Sequence, residues 1–434
     1  MARFDTNKIH AGYNPADHNY AVSVPIYATA AFELGSVERS DEMFSFDSWD
    51  PLYSRLSNPT TDALEARLIE LHGATAAVSL ASGMAAVTYS LLNITAGRGR
   101  ILTTPRLYGG ALDSLTQIFA EGNVFFDFVE NPDDPESFRK ALAPDTKVIY
   151  VESLTNPNAT ILDIEAIAKI AHEARIPLIV DNTLATPYLL NPFEYGADIV
   201  VYSATKGLSG HGNVIAGAVL ENKQFRFDSE KFPQFYETPY FLRGRDGKAR
   251  NYLDVFSDGP FTGRIRAVHL NYLGAALSPF SAYLVLLGIE TLSERVQKQV
   301  DNAKKIVEYL ESKIGKGVLW VKHPSAKENP YQELAKKYFP KGAGAVLSFG
   351  LAGDANQRTK FLEAVQIWGF QANIGDAKSL IINPSTTTHT ELTPEVQDAA
   401  DIHAETIRLS LGLEDAQDLI EDLEHAFSVA GLGE

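Results

Sequence analysis

The stretch DIVVYSATKG, residues 198–207, decides how this chain folds. Its first half, Ile199 to Tyr202, has the length and the apolar, β-branched composition of a buried strand. The strand ends abruptly in hydroxyl side chains, a lysine and a glycine. A lysine just past the edge of a sheet is a surface charge, a phosphate ligand or a nucleophilic amine, and the flanking Ser203 and Thr205 suit an anionic group. The local pattern favours an active-site role for Lys206.

A second predicted strand, IPLIVDNT at residues 176–183, lies upstream and ends in Asp181. Neighbouring parallel strands end at the same edge of a sheet, where open α/β proteins bind ligands, so Asp181 and Lys206 are expected to face one crevice. Two interpretations are open. The pair is either a plain ion pair or the two anchors of pyridoxal phosphate (PLP), the lysine as a Schiff base and the aspartate beside the pyridinium nitrogen.

The motifs VDNT, residues 180–183, and SATK, residues 203–206, resemble the Cys/Met-metabolism family of PLP-dependent enzymes. The resemblance covers nearly the whole chain and is strongest to the O-acetylhomoserine sulfhydrylase branch. It implies the α/β fold type I of PLP-dependent transferases (aspartate-aminotransferase-like), with a mostly parallel seven-stranded sheet and a smaller α/β C-terminal domain. The implied parts are an N-terminal arm that contacts the neighbouring subunit, a PLP-binding domain and a C-terminal domain, at residues 1–62, 63–290 and 291–434.

The cofactor site is expected at several turns that follow predicted strands. Small residues in ASGMAA, residues 81–86, lie between a strand and a helix, where free amides and the helix dipole suit a phosphate, although many such turns look alike. The resemblance implies that the amides of Gly83 and Met84 hold the cofactor phosphate. It also implies that Tyr108 stacks on the cofactor ring. The other implied cofactor ligands are Asn156, Asp181, Thr183, Ser203, Thr205 and Lys206.

Residues of the N-terminal arm are also implied in catalysis. From the residues alone, LYSRLSNPT at 52–60 is a surface loop. The resemblance implies instead that Tyr53 and Arg55 cross a dimer interface to the cofactor phosphate of the neighbouring subunit. Lys206 is then the catalytic amine, and Tyr108 with the neighbour's Tyr53 is its acid–base helper. A homo-oligomer follows, and the family suggests a tetramer.

The substrate carboxylate is expected to bind in the C-terminal part. Arg408 lies in an otherwise apolar predicted strand, residues 407–411, and a buried arginine needs an anionic partner. An internal ion pair and a substrate carboxylate are both open from the residues. The resemblance implies the substrate, with Ser379 and Asn156 beside it. His389 is interpreted as a structural histidine.

Composition excludes several classes of function. The 434-residue chain carries a net charge of −17, which argues against nucleic-acid or anionic-membrane binding. It has no cysteine, so disulfides, thiolate metal sites and a catalytic cysteine are excluded. The histidines show no metal-ligand spacing, and no metal site is expected. The start of the chain lacks a secretory signal and no apolar run approaches the roughly 18 residues of a spanning helix, so a cytoplasmic protein is expected.

The function implied by the resemblance is PLP-dependent γ-replacement on an activated homoserine ester, with sulfide or a thiol as the second substrate. Cystathionine γ-synthase and γ-lyases on the same fold remain alternatives, although Gly110 stands where methionine γ-lyases commonly carry cysteine. A nicotinamide oxidoreductase is disfavoured because no Gly-x-Gly-x-x-Gly follows a strand. A non-catalytic binding protein is disfavoured by the intact Asp181, Lys206 and Arg408. The insertion at residues 222–270 and Asn383 depart from the branch pattern, which leaves the ester and the sulfur donor open.

Three local structures are also predicted. A helix begins at Thr60, with Thr60 or Thr61 as its cap, and ends at Gly73. One long helix runs from Phe280 through Leu310. A short strand covers Ser379 to Ile382.

Overall fold

The computed structural model describes residues 2–390 and 393–432. Its centre is a seven-stranded sheet with the order β1-β7-β6-β5-β4-β2-β3. Neighbours from β3 to β6 are parallel, and β7 is antiparallel to both β6 and β1. The predicted mostly parallel seven-stranded sheet is therefore confirmed. Its strands are Ala76–Leu80 (β1), Arg98–Thr103 (β2), Asn123–Phe128 (β3), Thr146–Glu152 (β4), Leu178–Asp181 (β5), Ile199–Tyr202 (β6) and Gly217–Glu221 (β7).

A second, five-stranded sheet follows in the C-terminal part, with the order β10-β11-β12-β9-β8. It is antiparallel except for the pair of β10 with β11. Sequence analysis missed β8 and β10, because the first is only partly buried and the second has two residues. The strands are Val318–Lys322 (β8), Val346–Leu351 (β9), Gly369–Phe370 (β10), Leu380–Ile382 (β11) and Thr406–Ser410 (β12).

Helices cover the faces of both sheets. The strands of the first sheet are apolar on both sides because helices pack on each face, as in other largely parallel sheets. In the first part of the chain the α-helices are Phe4–His10 (α1), Val37–Phe44 (α2), Pro59–His72 (α3), Gly83–Thr95 (α4), Gly109–Gln117 (α5), Pro135–Ala141 (α6), Ile164–Glu173 (α7) and Thr186–Leu189 (α8). The remaining α-helices are Tyr252–Val255 (α9), Pro260–Arg264 (α10), Asn271–Leu273 (α11), Pro279–Glu290 (α12), Leu292–Ser312 (α13), Gln332–Tyr338 (α14), Ala355–Ala364 (α15), Pro394–Ala399 (α16) and Ala416–Val429 (α17).

The start of α3 differs from the prediction. The helix begins at Pro59, and its cap is Asn58, whose side-chain oxygen accepts a hydrogen bond from the Thr60 amide at 3.0 Å. The Thr60 hydroxyl is engaged elsewhere, since it donates to the Pro25 carbonyl at 2.8 Å. This bond ties the N-terminal arm to α3. Gly73 ends the helix in the left-handed region with φ 62°, as predicted.

The predicted long helix is wrong, because the structure has two helices separated at Thr291. The backbone of Thr291 leaves the helical region with φ −113° and ψ 20°. Arg295, one turn into α13, donates hydrogen bonds to the carbonyls of Gly288 and Gly207. The buried guanidinium thus satisfies a carbonyl freed by the break and anchors the loop that follows Lys206.

Two hydrophobic cores lie under the two sheets, and α13 contributes to both. Val296 and Val300 pack into the first core, while Ala303 and Ile306 pack into the second. The helix α13 therefore passes from the first core to the second between Val300 and Ala303. The domain boundary expected between residues 290 and 291 stays a prediction. No helix in the described part of the chain has the length and apolar character needed to cross a membrane.

The insertion at residues 222–270 is packed rather than loose. Phe227, Phe232, Phe235 and Phe261 are buried in it, and Phe227 stacks on Phe235 with ring centroids 4.1 Å apart. The segment continues through α9 and α10 into a π-helix at Ile265–Leu270. Aromatic packing thus holds this segment in place, although its sequence has no regular apolar period that would predict this.

Candidate active site

A cavity of about 450 Å³ lies at the carboxyl ends of β4, β5 and β6. The N-termini of α4 and α5 form one side of it, and loops of the second sheet close the other. It brings together ten of the residues expected from the sequence: Gly83, Met84, Tyr108, Asn156, Asp181, Thr183, Ser203, Thr205, Lys206 and Arg408. This is the edge of the sheet where ligands of open α/β folds bind.

Lys206 presents a reactive amine to this cavity. Its Nζ donates a hydrogen bond to Oδ1 of Asn373 at 2.6 Å. Burial, and then the positive charge of Arg408, lower the pKa of Lys206 to about 8. A lysine with such a pKa has a substantial fraction of free amine near neutral pH, which is what a nucleophile or a general base requires.

Two carboxyl groups end the neighbouring strands β4 and β5. Glu152 and Asp181 are paired residues of the parallel ladder. Asp181 accepts a hydrogen bond from the Thr183 amide at 2.9 Å, and burial raises its pKa. Burial and the charge of Asp181 raise the pKa of Glu152 to about 8. Such buried acids favour a cation between the sheet edge and Lys206, as a protonated pyridine nitrogen would provide.

The start of α4 forms a cradle for an anion. Ser82 caps the helix by accepting a hydrogen bond from the Ala85 amide at 3.0 Å, and the amides of Gly83 and Met84 precede the first helical hydrogen bond. A Cβ on Gly83 would lie 2.5 Å from Cβ of Ser203, so only glycine allows this approach. The Thr205 hydroxyl accepts a hydrogen bond from the Ala216 amide at 2.9 Å. Free amides at a helix N-terminus suit a phosphate.

Tyr108 lies at the start of α5 with its ring partly open to solvent. Its amide donates a hydrogen bond to Oε1 of Glu152 at 2.5 Å. The ring lies over Gly110, because a Cβ there would be 2.7 Å from Cε1 of Tyr108. Gly110 therefore leaves the space in which the tyrosine ring lies at the cavity wall.

Arg408 is the cationic end of the cavity. It is 3% exposed and donates to Oδ1 of Asn156 at 3.2 Å and to the Asn373 carbonyl at 2.9 Å. Its Nε is buried and has no hydrogen-bond partner among the described residues, which also supply no ion pair. Burial lowers its pKa to about 10. Of the two interpretations left open by the sequence, the geometry favours an external carboxylate over an internal ion pair.

Ser379 is placed elsewhere than expected. Its hydroxyl donates to Oε2 of Glu414 and accepts from the Gly412 amide, both at 2.8 Å, and it does not line the cavity. Asn373, rather than Ser379, lies beside Lys206 and Arg408. The missed signal is the polar turn NIGD, residues 373–376, whose Gly375 has φ +68° and packs closely on Gly207.

Tyr53 and Arg55 do not line the cavity of their own chain. Tyr53 is 41% exposed, and the Arg55 guanidinium lies 5.0 Å from its ring centroid. Their expected role at a neighbouring subunit stays a prediction. His389 is buried, and burial lowers its pKa to about 4, in keeping with a structural histidine. The described residues include no group of three side chains that could hold a metal ion.

The residues present fit PLP. The amides at Gly83 would hold the phosphate, Asp181 would pair with the ring nitrogen, and Lys206 would supply the amine. Arg408, whose Nε has no hydrogen-bond partner among the described residues, would bind an anion. The fold and this site define a PLP-dependent enzyme of fold type I.

Comparison with known proteins supports this assignment to the PLP-dependent enzymes. The family model described as "Cys/Met metabolism PLP-dependent enzyme" matches residues 5–428, and the chain belongs to this family. It is 39% identical over 430 residues to the sulfhydrylase FUB7 of Gibberella moniliformis, covering 98% of both chains. It is 37% identical over 431 residues to the O-acetyl-L-homoserine sulfhydrylase of Leptospira meyeri, covering 97% of this chain and 96% of the relative.

A solved structure is also similar. It is described as an O-acetylhomoserine (thiol)-lyase of Campylobacter jejuni and contains N'-pyridoxyl-lysine-5'-monophosphate. The TM-score is 0.92 at 36% identity, and the match covers 98% of this chain and 100% of the other. The expected family, fold and cofactor are thereby confirmed.

Proposed function

We propose that this enzyme converts O-acetyl-L-homoserine and sulfide to L-homocysteine and acetate. The observation that carries the proposal is the buried Arg408, which has no anionic partner among the described residues and lines the same cavity as Lys206. One group suits an amino-acid carboxylate and the other suits proton removal from the adjacent carbon. The full-length similarity to O-acetyl-L-homoserine sulfhydrylases supports the ester as the substrate.

In this proposal Arg408 and Asn156 hold the substrate carboxylate. An arginine fork binds a carboxylate through two parallel hydrogen bonds, and Asn156 already contacts the guanidinium. Asn373, bonded to Lys206 through its side chain and to Arg408 through its carbonyl, orients both cations. The α-carbon is thereby held within reach of Nζ of Lys206.

Proton transfer falls to Lys206. PLP, when bound, supplies the electron sink that acidifies the Cα proton. Lys206 removes that proton, a second proton leaves Cβ, and acetate leaves from Cγ. Sulfide then adds at Cγ, and the protons return to Cβ and Cα. Asp181 keeps the cofactor ring nitrogen protonated, because a nearby carboxylate favours the charged form.

Tyr108 is proposed as the acid–base helper, together with Tyr53 of the partner subunit. Support comes from the position of Tyr108 at the cavity wall and from the exposure of Tyr53 and Arg55 on their own chain. A site completed in this way needs at least a dimer, and we propose a homotetramer. The three-part division of the chain and its cytoplasmic location stay predictions.

Product analysis tests the proposal. Purified enzyme loaded with PLP is given O-acetyl-L-homoserine with and without sulfide, and products are identified by mass spectrometry. We expect homocysteine that depends on sulfide. Dominant 2-oxobutyrate in the presence of sulfide would instead indicate a γ-lyase, and no turnover of the ester would exclude the sulfhydrylase. A Lys206→Ala variant serves as control, and full turnover in that variant would overturn the assigned role of Lys206.

A further inference from the structure

Glu152 is a buried carboxyl group in the cavity that the proposed chemistry does not use. It is 3% exposed, ends β4 and lies beside Asp181 in the ladder. No lysine, arginine or histidine among the described residues lies within ion-pair distance of it, so its negative charge is not there to balance a neighbouring cation. The burial of this carboxyl group therefore has another structural explanation.

The hydrogen bonds of Glu152 provide this explanation. Oε1 accepts from the Tyr108 amide at 2.5 Å, and Oε2 accepts from the Asn156 amide at 3.3 Å. These amides belong to two different loops, one between β2 and α5 and the other following β4 itself. A glutamate side chain places an oxygen against each of these two amides, whereas a glutamine would turn its N–H₂ donor toward one of them.

The two loops carry side chains that depend on this anchor. Tyr108 precedes α5 without a side-chain cap, and its amide is held by Glu152. Asn156 bonds to the Arg408 guanidinium. A single carboxyl group therefore sets the relative position of the ring at the cavity wall and of the amide beside the carboxylate-binding arginine.

We propose that Glu152 is a positioning residue that fixes Tyr108 and Asn156 relative to Lys206. The proposal rests on the proposed function only for its kinetic consequences. The anchoring itself is a property of the chain and is measurable without substrate or cofactor.

The chain offers a matched control in Glu221. This glutamate ends β7 in the same sheet, is 2% exposed and accepts hydrogen bonds from the amides of Phe261 and Thr262 at 3.1 and 2.9 Å. Because β7 is antiparallel to β6, its end lies at the opposite edge of the sheet, and Glu221 does not line the cavity. Glu221→Gln therefore makes the same substitution at a buried, amide-bonded glutamate that lies away from the cavity.

The first readout is hydrogen–deuterium exchange of the apoenzyme, followed in peptides spanning residues 104–110 and 152–158. In Glu152→Gln we expect exchange at the Asn156 or Tyr108 amide to accelerate about tenfold, since one buried hydrogen bond is lost. Glu152→Asp, which is too short to reach both amides, gives the same readout if the glutamine variant does not fold. Unchanged exchange in these peptides would overturn the proposal.

The second readout is kinetic, with O-acetyl-L-homoserine and sulfide. Misplacing two groups at the reacting centre is expected to lower kcat about tenfold to a hundredfold in Glu152→Gln, with bound PLP and its visible absorption retained. Glu221→Gln should leave kcat unchanged. The same fall in kcat in both variants would mean that Glu152 contributes only to general stability, and would overturn the proposal. If the wild-type enzyme makes no homocysteine, the proposed function fails while the exchange experiment still decides the role of Glu152.

Discussion

At the scale of single residues, the site depends on charged groups kept in surroundings that disfavour their charge. Lys206 is held largely out of water near Arg408, which lowers its pKa, and Asp181 is buried, which raises its pKa. Both shifts destabilise the empty site, and a ligand with a cationic ring nitrogen and an anionic group relieves them. The same groups therefore favour binding of the cofactor.

Lys206→Met is expected to stabilise the apoenzyme at pH 7. The folded state lowers the pKa of Lys206 from 10.5 to about 8, so the unfolded chain binds more protons between these values. Wild-type stability therefore rises with pH through this window, and the advantage of the methionine variant, about 3 kcal/mol at pH 7, disappears towards pH 10. Denaturant unfolding of both apoenzymes at pH 7 and pH 10 measures this. An advantage that does not change with pH would contradict it.

Gly110→Ala is expected to displace the Tyr108 ring. The added Cβ would lie 2.7 Å from Cε1 of the ring, and the backbone of Gly110 is not in the left-handed region, so steric displacement is the main effect. We expect kcat to fall about tenfold or more with the fold retained. Gly122→Ala is the control, because its nearest contact is an ordinary 3.6 Å. Equal activity of the two variants would show that the ring adapts without loss.

At the scale of elements, periodicity identified the strands of the first sheet and the turns that follow them. The motifs at Asp181 and Lys206 lie where two buried strands end, and that placement follows from the alternation of strands and helices. The break at Thr291 was not predictable, because the apolar pattern continues through it and the contacts that accommodate it, from Arg295 to a distant loop, are tertiary. Asn373 was missed for a similar reason, since only tertiary packing brings its turn to Lys206.

Arg295→Met is expected to disturb both the helix break and the loop of Lys206. The buried guanidinium donates to the carbonyls of Gly207 and Gly288, and its loss leaves the Gly207 carbonyl without this donor at a cost of about 1–3 kcal/mol. PLP affinity should fall as well, because Gly207 follows the lysine. Unfolding and PLP titration measure the two effects. The control is Arg175→Met, which removes a surface ion pair with Asp228 and should destabilise the protein less. Equal destabilisation of the two variants would contradict the role given to Arg295.

At the scale of the whole molecule, the cavity is built by both sheets. Lys206 and Asp181 come from the first sheet, while Asn373 and Arg408 come from the second, and α13 packs into the cores of both. Movement of one sheet against the other would therefore alter the distance between the amine and the arginine.

The expected sharing of sites between subunits makes a prediction about mixed oligomers. If Arg55 serves the site of the partner subunit, a heterodimer of Lys206→Ala and Arg55→Ala chains contains one doubly altered site and one intact site. Co-refolding the two inactive variants in equal amounts should then restore about a quarter of wild-type activity, because half of the random dimers carry one working site of two. If Arg55 serves its own chain, every site in the mixture carries one lesion and activity stays at the level of the separate variants. Homocysteine formation before and after mixing measures this. The control replaces Arg55→Ala by Arg39→Ala, because Arg39 pairs with Asp50 on the same arm. A mixture of Lys206→Ala and Arg39→Ala chains contains intact sites under either arrangement.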